Sequence, residues 1–276
     1  MTNMTPVALG LAALLALAGC ANQVQAPAAA SQAAAPVQVF AAGSLRGALN
    51  AVASDYEART GQKIALTYGP SGLLRERLEK GEAAQLFASA DTDHPQRLAS
   101  AGGWQAPSVF VRNGLCALTS EKVNATPATL LDTLLRADVR VGSSTPKSDP
   151  SGDYTWALFR KADSVQAGAY ARLDSKTLKL AGAADSPKPP DGISVYGWLM
   201  DQGRADVFLT YCTNAVVAQK EVPRLKVVQV PPELQVAAAY GLTLRLGASP
   251  SATAFAQALL APPAQAVFRR FGFSLP

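Results

Sequence analysis

The sequence predicts an α/β fold of two lobes, each of them a mostly parallel β-sheet flanked by helices. From residue 37 onward, short apolar runs that suit strands alternate with amphipathic runs that suit helices, which is typical of βαβ units. The chain has 276 residues, of which 49% are hydrophobic and 16% charged, enough to bury two cores. Three strand-to-helix turns each carry a small hydroxyl residue, which links the predicted fold to a predicted site.

The first predicted element is a strand that begins at Val37 and runs into a tight turn and then a helix. Val37 and Val39 alternate with Gln38 in the pattern of a short strand, and Gly43 permits a sharp turn. Ser44 stands at the N-cap position, before apolar residues at helical spacing. Because a helix N-terminus presents free N–H groups, this turn suits an anion. The alternative is that Ser44 is an ordinary helix cap.

The rest of the folded segment continues the alternation. We expect further strands at residues 64–68, 86–90, 109–111, 115–118, 139–142, 205–211, 226–230 and 240–246. We expect helices at residues 73–80, 97–101, 127–136, 154–161, 167–180 and 195–202, and two more within 252–271, separated by Pro262 and Pro263. His94 lies at the start of one surface helix, and we expect its side chain to be solvated.

The N-terminal segment predicts export and a lipid anchor. An apolar run at residues 7–18, short for a bilayer span, ends in Leu17-Ala18-Gly19-Cys20. This tetrapeptide resembles the lipobox of bacterial lipoprotein signal peptides, which implies that residues 1–19 are removed and Cys20 is acylated. The alternatives are an ordinary cleaved signal and a membrane anchor, because no Lys or Arg precedes the apolar run. Residues 20–36 then form a flexible tether rich in Ala, Gln and Pro.

Two cysteines remain once Cys20 is assigned to the lipid. Cys116 and Cys212 both lie in apolar, strand-like stretches. An even pair in an exported protein predicts a disulfide, and the alternative is two free buried thiols.

The composition argues against several classes of function. The net charge is +5 and the basic residues are scattered, so we expect no nucleic-acid partner. His94 is the single histidine, which leaves little material for a His-rich metal site or a Ser-His-Asp triad. The folded segment also has no Gly-x-Ser-x-Gly nucleophile elbow. We therefore expect a protein that is not an enzyme and that holds no cofactor.

Three turns share one design, since each follows a strand and opens a helix. They contain Ser44, Ser71 and Ser151. In open α/β sheets, ligands bind at the carboxyl ends of the strands, where such turns converge. Hydroxyls and backbone N–H groups without a formal positive charge suit a small tetrahedral oxyanion, because each donor can be aimed at one oxygen.

Several segments share their order and spacing with a known family. They are Val39-Phe40-Ala41-Ala42-Gly43-Ser44-Leu45, Ser71-Gly72-Leu73, Glu79-Lys80-Gly81-Glu82-Ala83-Ala84, Leu86-Phe87-Ala88-Ser89-Ala90-Asp91, Gly203-Arg204-Ala205-Asp206, Tyr211 with Thr213-Asn214-Ala215, and Phe271-Gly272-Phe273. In these segments the chain resembles the molybdate-binding proteins of bacterial ABC importers. The resemblance implies the two-lobed, type II periplasmic-binding-protein fold.

The resemblance also implies an oxyanion site between the lobes. Its donors would be the hydroxyls of Ser44, Ser71 and Tyr211 and the backbone amides of Ser151 and Val195, with Ser194 as an alternative to Val195. One departure from the family pattern is a polar loop whose Asp149 and Asp153 would be poor neighbours for a dianion. The resemblance implies molybdate as the anion, and the alternatives are tungstate, sulfate, thiosulfate and phosphate.

These expectations give a domain plan and a set of partners. Residues 37–114 and 232–276 would form the first lobe, and residues 115–231 the second. The resemblance implies a monomer in the bacterial cell envelope, tethered to a membrane by its lipid, that delivers the anion to an ABC permease. The alternative is a ligand-sensing domain with no part in transport.

Overall fold

A computed structural model gives the structure of residues 1–2 and 35–276. The predicted signal peptide, the lipidation of Cys20 and all but the end of the predicted tether lie outside the described residues. Within the described residues, none of the helices combines the length and the apolar character that a membrane crossing requires.

The first lobe is built on a five-stranded sheet. In spatial order its strands are β2 (Ile64–Gly69), β1 (Val37–Ala42), β3 (Leu86–Ser89), β10 (Ala238–Leu244) and β4 (Ser108–Asn113). Strand β1 runs parallel to β2 and β3, whereas β10 pairs antiparallel with β3 and β4. Every residue of β1 except Gln38 is buried, as expected for a central strand covered on both faces.

The second lobe repeats this plan with another five-stranded sheet. Its strands, in spatial order, are β7 (Leu178–Ala181), β6 (Val141–Ser144), β8 (Val207–Tyr211), β5 (Leu115–Thr119) and β9 (Lys226–Gln229). Strand β6 is parallel to β7 and β8, and β5 is antiparallel to β8 and β9. The chain crosses between the lobes twice, directly from β4 to β5 and again from β9 to β10. The predicted two-lobed α/β fold is confirmed, with antiparallel pairing at the strands next to each crossing.

Helices cover both faces of the sheets. They are α1 (Arg46–Thr60), α2 (Ser71–Glu79), α3 (Asp93–Ala101), α4 (Leu130–Leu135), α5 (Pro150–Val165), α6 (Ala169–Lys176), α7 (Val195–Asp201), α8 (Cys212–Glu221), α9 (Pro250–Leu260) and α10 (Pro262–Arg270). The break predicted at Pro262 is confirmed, because that residue begins α10. The largest buried apolar cluster extends through both lobes, from residues such as Leu45 and Phe110 to Leu209.

Two local predictions are wrong. The helix expected at residues 167–180 stops at Lys176, and the chain then forms β7, which lies at the edge of its sheet. β7 is only four residues long, Leu-Lys-Leu-Ala, and directly follows α6, so its short apolar pattern could be read as the end of the helix. His94, expected to be solvated, is only 4% exposed, since it lies beneath the contact between the lobes.

The predicted pairing of Cys116 with Cys212 is confirmed. The structure joins the two residues by a disulfide that links β5 to the first residue of α8. Since Tyr211 ends β8 immediately before Cys212, the disulfide holds the end of the strand that carries this tyrosine.

Candidate functional site

The three hydroxyl-bearing turns lie at the carboxyl ends of parallel strands, as predicted. Ser44 follows β1 in a short 3₁₀ turn, Ser71 is the first residue of α2, and Ser151 is the second residue of α5. None of the three serine side chains acts as a helix N-cap, so the alternative of an ordinary cap does not hold. Each hydroxyl has a different environment, and these environments define what the site can bind.

Ser71 and Tyr211 come from different lobes, and both side chains form hydrogen bonds with the backbone of one residue, Ala90. The Ala90 amide donates a hydrogen bond to Ser71 Oγ at 3.0 Å, and the Tyr211 hydroxyl donates to the Ala90 carbonyl at 3.2 Å. Both side chains are 1% exposed. Because Ser71 Oγ accepts from Ala90, its own O–H remains available as a donor. The structure therefore brings two of the predicted ligands together at the contact between the lobes.

Ser44 belongs to a chain of hydrogen-bonded polar side chains that includes residues of β10 and β4. Its hydroxyl lies 2.8 Å from the hydroxyl of Tyr240, which also accepts from Asn113 Nδ2 at 3.2 Å. Asn113 in turn donates to Thr213 Oγ1 at 2.9 Å. The Tyr240 ring lies 5.5 Å from that of Tyr211, so this chain adjoins the Ser71–Tyr211 pair.

Sequence reasoning missed Tyr240 and Asn113. Tyr240 lies 196 residues from Ser44, inside an apolar run, and Asn113 lies between two predicted strands. A polar residue at the end of an otherwise buried strand was the available clue, since such a group must find a partner.

The Ser151 amide is already engaged. It donates a hydrogen bond to Asp149 Oδ1 at 3.1 Å, and Asp149 is the N-cap of α5. The Ser151 hydroxyl is fully buried and has no hydrogen-bond partner among the described residues, and the same holds for Ser143 and Ser144. Unpartnered hydroxyls at the start of a helix are groups that a bound anion could satisfy.

Val195 is the one predicted ligand that the described contacts do not connect to the others. It begins α7, and its alternative, Ser194, is the N-cap, whose hydroxyl accepts from the Gly197 amide at 3.4 Å. No described contact places the Val195 amide beside the other four predicted ligands. The next residue, Tyr196, approaches the site instead, because its side chain lies beside Ser144 and Asp149.

A backbone contact joins the lobes at the start of α2. The Gly72 amide donates to the Ser148 carbonyl at 2.9 Å. A Cβ atom at position 72 would lie 2.3 Å from the Lys147 carbonyl oxygen and 2.8 Å from that of Ser148, so only glycine fits. Lys147 itself has a φ of +69°, and its amide donates to the carboxylate of Asp153. The loop between β6 and α5 is thus shaped to receive the N-terminus of α2.

Burial sets the protonation states within the site. Desolvation raises the pKa of Tyr211 well above its ordinary value and that of Tyr154 to about 12. Both phenols therefore stay protonated and can donate hydrogen bonds. Desolvation likewise raises the pKa of Asp149 to about 6 and that of Asp91 to about 6.

The sequence profile of the family described as bacterial extracellular solute-binding protein matches residues 37–274. This chain belongs to that family. The family's extracellular place agrees with the export predicted from the N-terminal segment, whereas the lipid anchor stays a prediction.

Several known proteins are similar to this extracellular solute-binding protein. An uncharacterized protein, PM1146 of Pasteurella multocida, is 34% identical over 211 residues, which cover 75% of this chain and 86% of that protein. The periplasmic molybdate-binding protein of Azotobacter vinelandii matches with a TM-score of 0.68 at 16% identity, covering 87% of this chain and 99% of that one. The sulfate-binding protein SubI of Mycobacterium tuberculosis H37Rv has a TM-score of 0.68 at 20% identity, with 86% of each chain covered. The two solved structures share the fold.

A cavity of the solute-binding protein lies beside the Ser71–Tyr211 pair, between the lobes. Its volume is about 200 Å³. Its lining comes from the start of α3 and from the loop and first turns of α5, and includes Asp91, Asp93, His94, Arg97, Lys147, Asp153 and Tyr154. His94 Nε2 lies 3.7 Å from Asp91 Oδ2, and neither ring nitrogen of His94 makes a hydrogen bond to any residue that the structure describes. Desolvation, with help from the charges of Arg75 and Arg97, lowers the pKa of His94 to about 4.

His94 should make the folded protein sensitive to acid. Its folded-state pKa of about 4 lies below the ordinary value of 6.5, so the unfolded chain binds a proton first and stability falls as pH drops through this window. Relative to His94→Gln, the wild type should lose about 1–2 kcal/mol of unfolding free energy between about pH 7 and pH 4.5. Urea unfolding of both proteins at the two pH values measures this. An equal loss in the variant would assign the acid sensitivity to other groups.

Proposed function

We propose that this solute-binding protein captures a tetrahedral oxyanion, molybdate first among them, between its lobes and delivers it to an ABC permease. One observation carries the proposal: Ser71 from the first lobe and Tyr211 from the second are buried together on Ala90. A ligand that binds both hydroxyls would hold the lobes together, which is how closure around a solute is stabilised.

The neutral donors around this pair support an oxyanion over a cation or an apolar solute. Ser71 keeps a free O–H that can donate to an anionic oxygen, and Tyr211 stays protonated, so its O–H can turn from the Ala90 carbonyl to the anion. When Tyr240 donates to Ser44, the Ser44 O–H is available as well. Hydrogen bonds to a charged partner contribute about 1.5–3 kcal/mol each, so three of them would offset much of the free-energy cost of association.

Relatives that bind molybdate and sulfate support the choice of ligand class. The solved structures similar to this chain include proteins described as binding each of these anions. On this proposal the protein acts as a monomer, holds no cofactor besides the captured anion and is anchored to a membrane through Cys20. Nucleic acid plays no part in its function.

Titration calorimetry tests the proposal. We expect the purified protein to bind at least one of molybdate, tungstate, sulfate, thiosulfate and phosphate with one site per chain, and molybdate most tightly. Thiosulfate and phosphate test how strictly the site requires four equivalent oxygens. Failure of every oxyanion to bind would contradict the proposal.

Removing one hydroxyl at a time tests the site itself. Tyr211→Phe and Ser71→Ala should each weaken oxyanion binding by about 10- to 100-fold, because each removes one hydrogen bond to a charged ligand. Tyr170→Phe is the matched control, since Tyr170 lies on α6 and its hydroxyl makes no hydrogen bond among the described residues. Calorimetry of the three variants and the wild type gives the comparison. Wild-type affinity in both site variants would place the ligand elsewhere.

A further inference from the structure

Asp149 stands where the resemblance would place an oxygen of the ligand. Its carboxylate accepts the Ser151 amide through Oδ1 at 3.1 Å, and Ser151 is the backbone donor expected to face an oxyanion. Asp149 is also the N-cap of the 16-residue helix α5, so a negative charge already occupies this helix N-terminus. An incoming anion must therefore bind beside a carboxyl group or displace it.

The structure restricts how far Asp149 can move aside. Gly182 packs against the side chain, and a Cβ atom there would lie 2.5 Å from Asp149 Cβ and 3.0 Å from Oδ2. Gly182 has a φ of +86°, a backbone conformation that favours glycine. The absence of a Cβ atom at this position leaves room for the carboxyl group of Asp149. Asp149 is held between this glycine and the start of α5.

The cluster around Asp149 contains two buried hydroxyls. Ser144 is fully buried, and its hydroxyl lies close enough to Asp149 to lower the pKa of that carboxyl. Ser151 Oγ is also fully buried, and it has no hydrogen-bond partner among the described residues. The Ser151 hydroxyl is a donor without an acceptor, which points to a ligand that completes the cluster.

The charged surroundings of Asp149 are acidic. Burial is the main cause that raises the pKa of Asp149. The Ser151 amide and the Ser144 hydroxyl lower it, whereas the charges of Asp153 from α5 and Asp91 from the first lobe raise it, and none of these four groups is a cation. Tyr196 from α7 also lies against it, while Tyr211 and Tyr240 from the two sheets lie within range of its charge. All three tyrosines keep their protons at neutral pH, since burial raises their pKa values.

We propose that Asp149 shares a proton with the bound oxyanion, so that capture of a fully deprotonated dianion takes up one proton from solvent. This inference rests on the proposed function. The proton resides on the carboxyl group of Asp149, which then donates a hydrogen bond to a ligand oxygen while Oδ1 continues to accept the Ser151 amide. An oxyanion that carries its own O–H donates to the carboxylate instead and takes up no proton. Asp149 is thus a ligand that determines both specificity and pH dependence.

The affinity for molybdate as a function of pH tests this proposal. Molybdate is fully deprotonated between about pH 6.5 and 8.5, and with one proton taken up its affinity should fall by about tenfold per pH unit. Calorimetry in two buffers of different ionisation enthalpy should count close to one proton bound per molybdate at the upper end of that range.

Asp149→Asn is the decisive variant. Asparagine caps helices as well as aspartate does, so the fold of α5 is retained, and its amide group donates without needing a proton. We expect molybdate binding to this variant to be independent of pH and tighter than wild type at about pH 8.5. Asp153→Asn, which changes another carboxylate of the same helix, should keep the wild-type slope.

The outcomes separate the two proposals. Molybdate binding that is equally tight at all pH values in the wild type would overturn proton sharing and leave the oxyanion function intact. A slope that persists in Asp149→Asn and disappears in Asp153→Asn would overturn the assignment to Asp149. Failure of any oxyanion to bind at any pH would overturn the proposed function itself.

Discussion

Replacing Gly72 with alanine should lower the oxyanion affinity by about 10- to 100-fold, because it prevents the lobes from meeting. The new Cβ would lie 2.3 Å from the Lys147 carbonyl oxygen, a backbone atom that cannot rotate away. Such overpacking costs about 1–3 kcal/mol, which here would act on the closed arrangement and leave each separate lobe unaffected. Calorimetry measures the affinity, and small-angle scattering measures whether the ligand still makes the protein more compact.

Gly43→Ala is the matched control for this substitution. Gly43 also lies at the start of a helical turn beside a predicted ligand, yet a Cβ atom there would have no neighbour within 4 Å, and its φ is not positive. Its affinity should equal that of the wild type. If Gly72→Ala binds as tightly as Gly43→Ala, the contact between Gly72 and the loop at Lys147 is not part of the ligand-bound state.

Loss of the disulfide should have the largest effect on stability. Cys116 and Cys212 are 96 residues apart, and cross-linking a loop of that length stabilises the folded state by about 4–5 kcal/mol in the chain-entropy estimate. The double variant Cys116→Ser/Cys212→Ser should lose about that much unfolding free energy in urea. Its oxyanion affinity should also fall, because the end of β8 that carries Tyr211 is no longer pinned to β5.

Chemical reduction of the wild type provides the control for the disulfide. Reduced wild-type protein should unfold at the same urea concentration as the double variant, since both lack the cross-link and little else differs. A loss well below about 1 kcal/mol in both would mean that the unfolded chain is already compact around these residues, and that the entropic account fails.

Much of the fold could be predicted from local patterns in the sequence. The alternation of strands and helices, the break at Pro262 and the positions of the three turns could be predicted, because each depends on residues close together in the chain. Edge strand β7 could not, since four residues, Leu-Lys-Leu-Ala, are too short a run to distinguish a strand from the end of a helix. The burial of His94 was equally invisible, because it depends on the second lobe closing over α3.

The site was predictable only where the resemblance supplied it. Ser71 and Tyr211 were expected ligands, and the structure brings them together, but their shared partner Ala90 has no side-chain signal at all. The contact between Ser44 and Tyr240 spans 196 residues and depends on the position of β10 in the sheet, two strands away from β1. Asp149 was noticed only as an unfavourable charge, because the capping of Ser151 is a matter of geometry that the sequence does not specify.

Anomalous diffraction from crystals grown with molybdate tests the central claim most directly. At the molybdenum absorption edge the metal of each bound anion gives a peak that needs no interpretation of the surrounding density. We expect one strong peak per chain between the lobes, with anion oxygens within hydrogen-bonding distance of Ser71 Oγ and the Tyr211 hydroxyl. A peak outside the cleft, in protein that calorimetry shows to be saturated with molybdate, would contradict it.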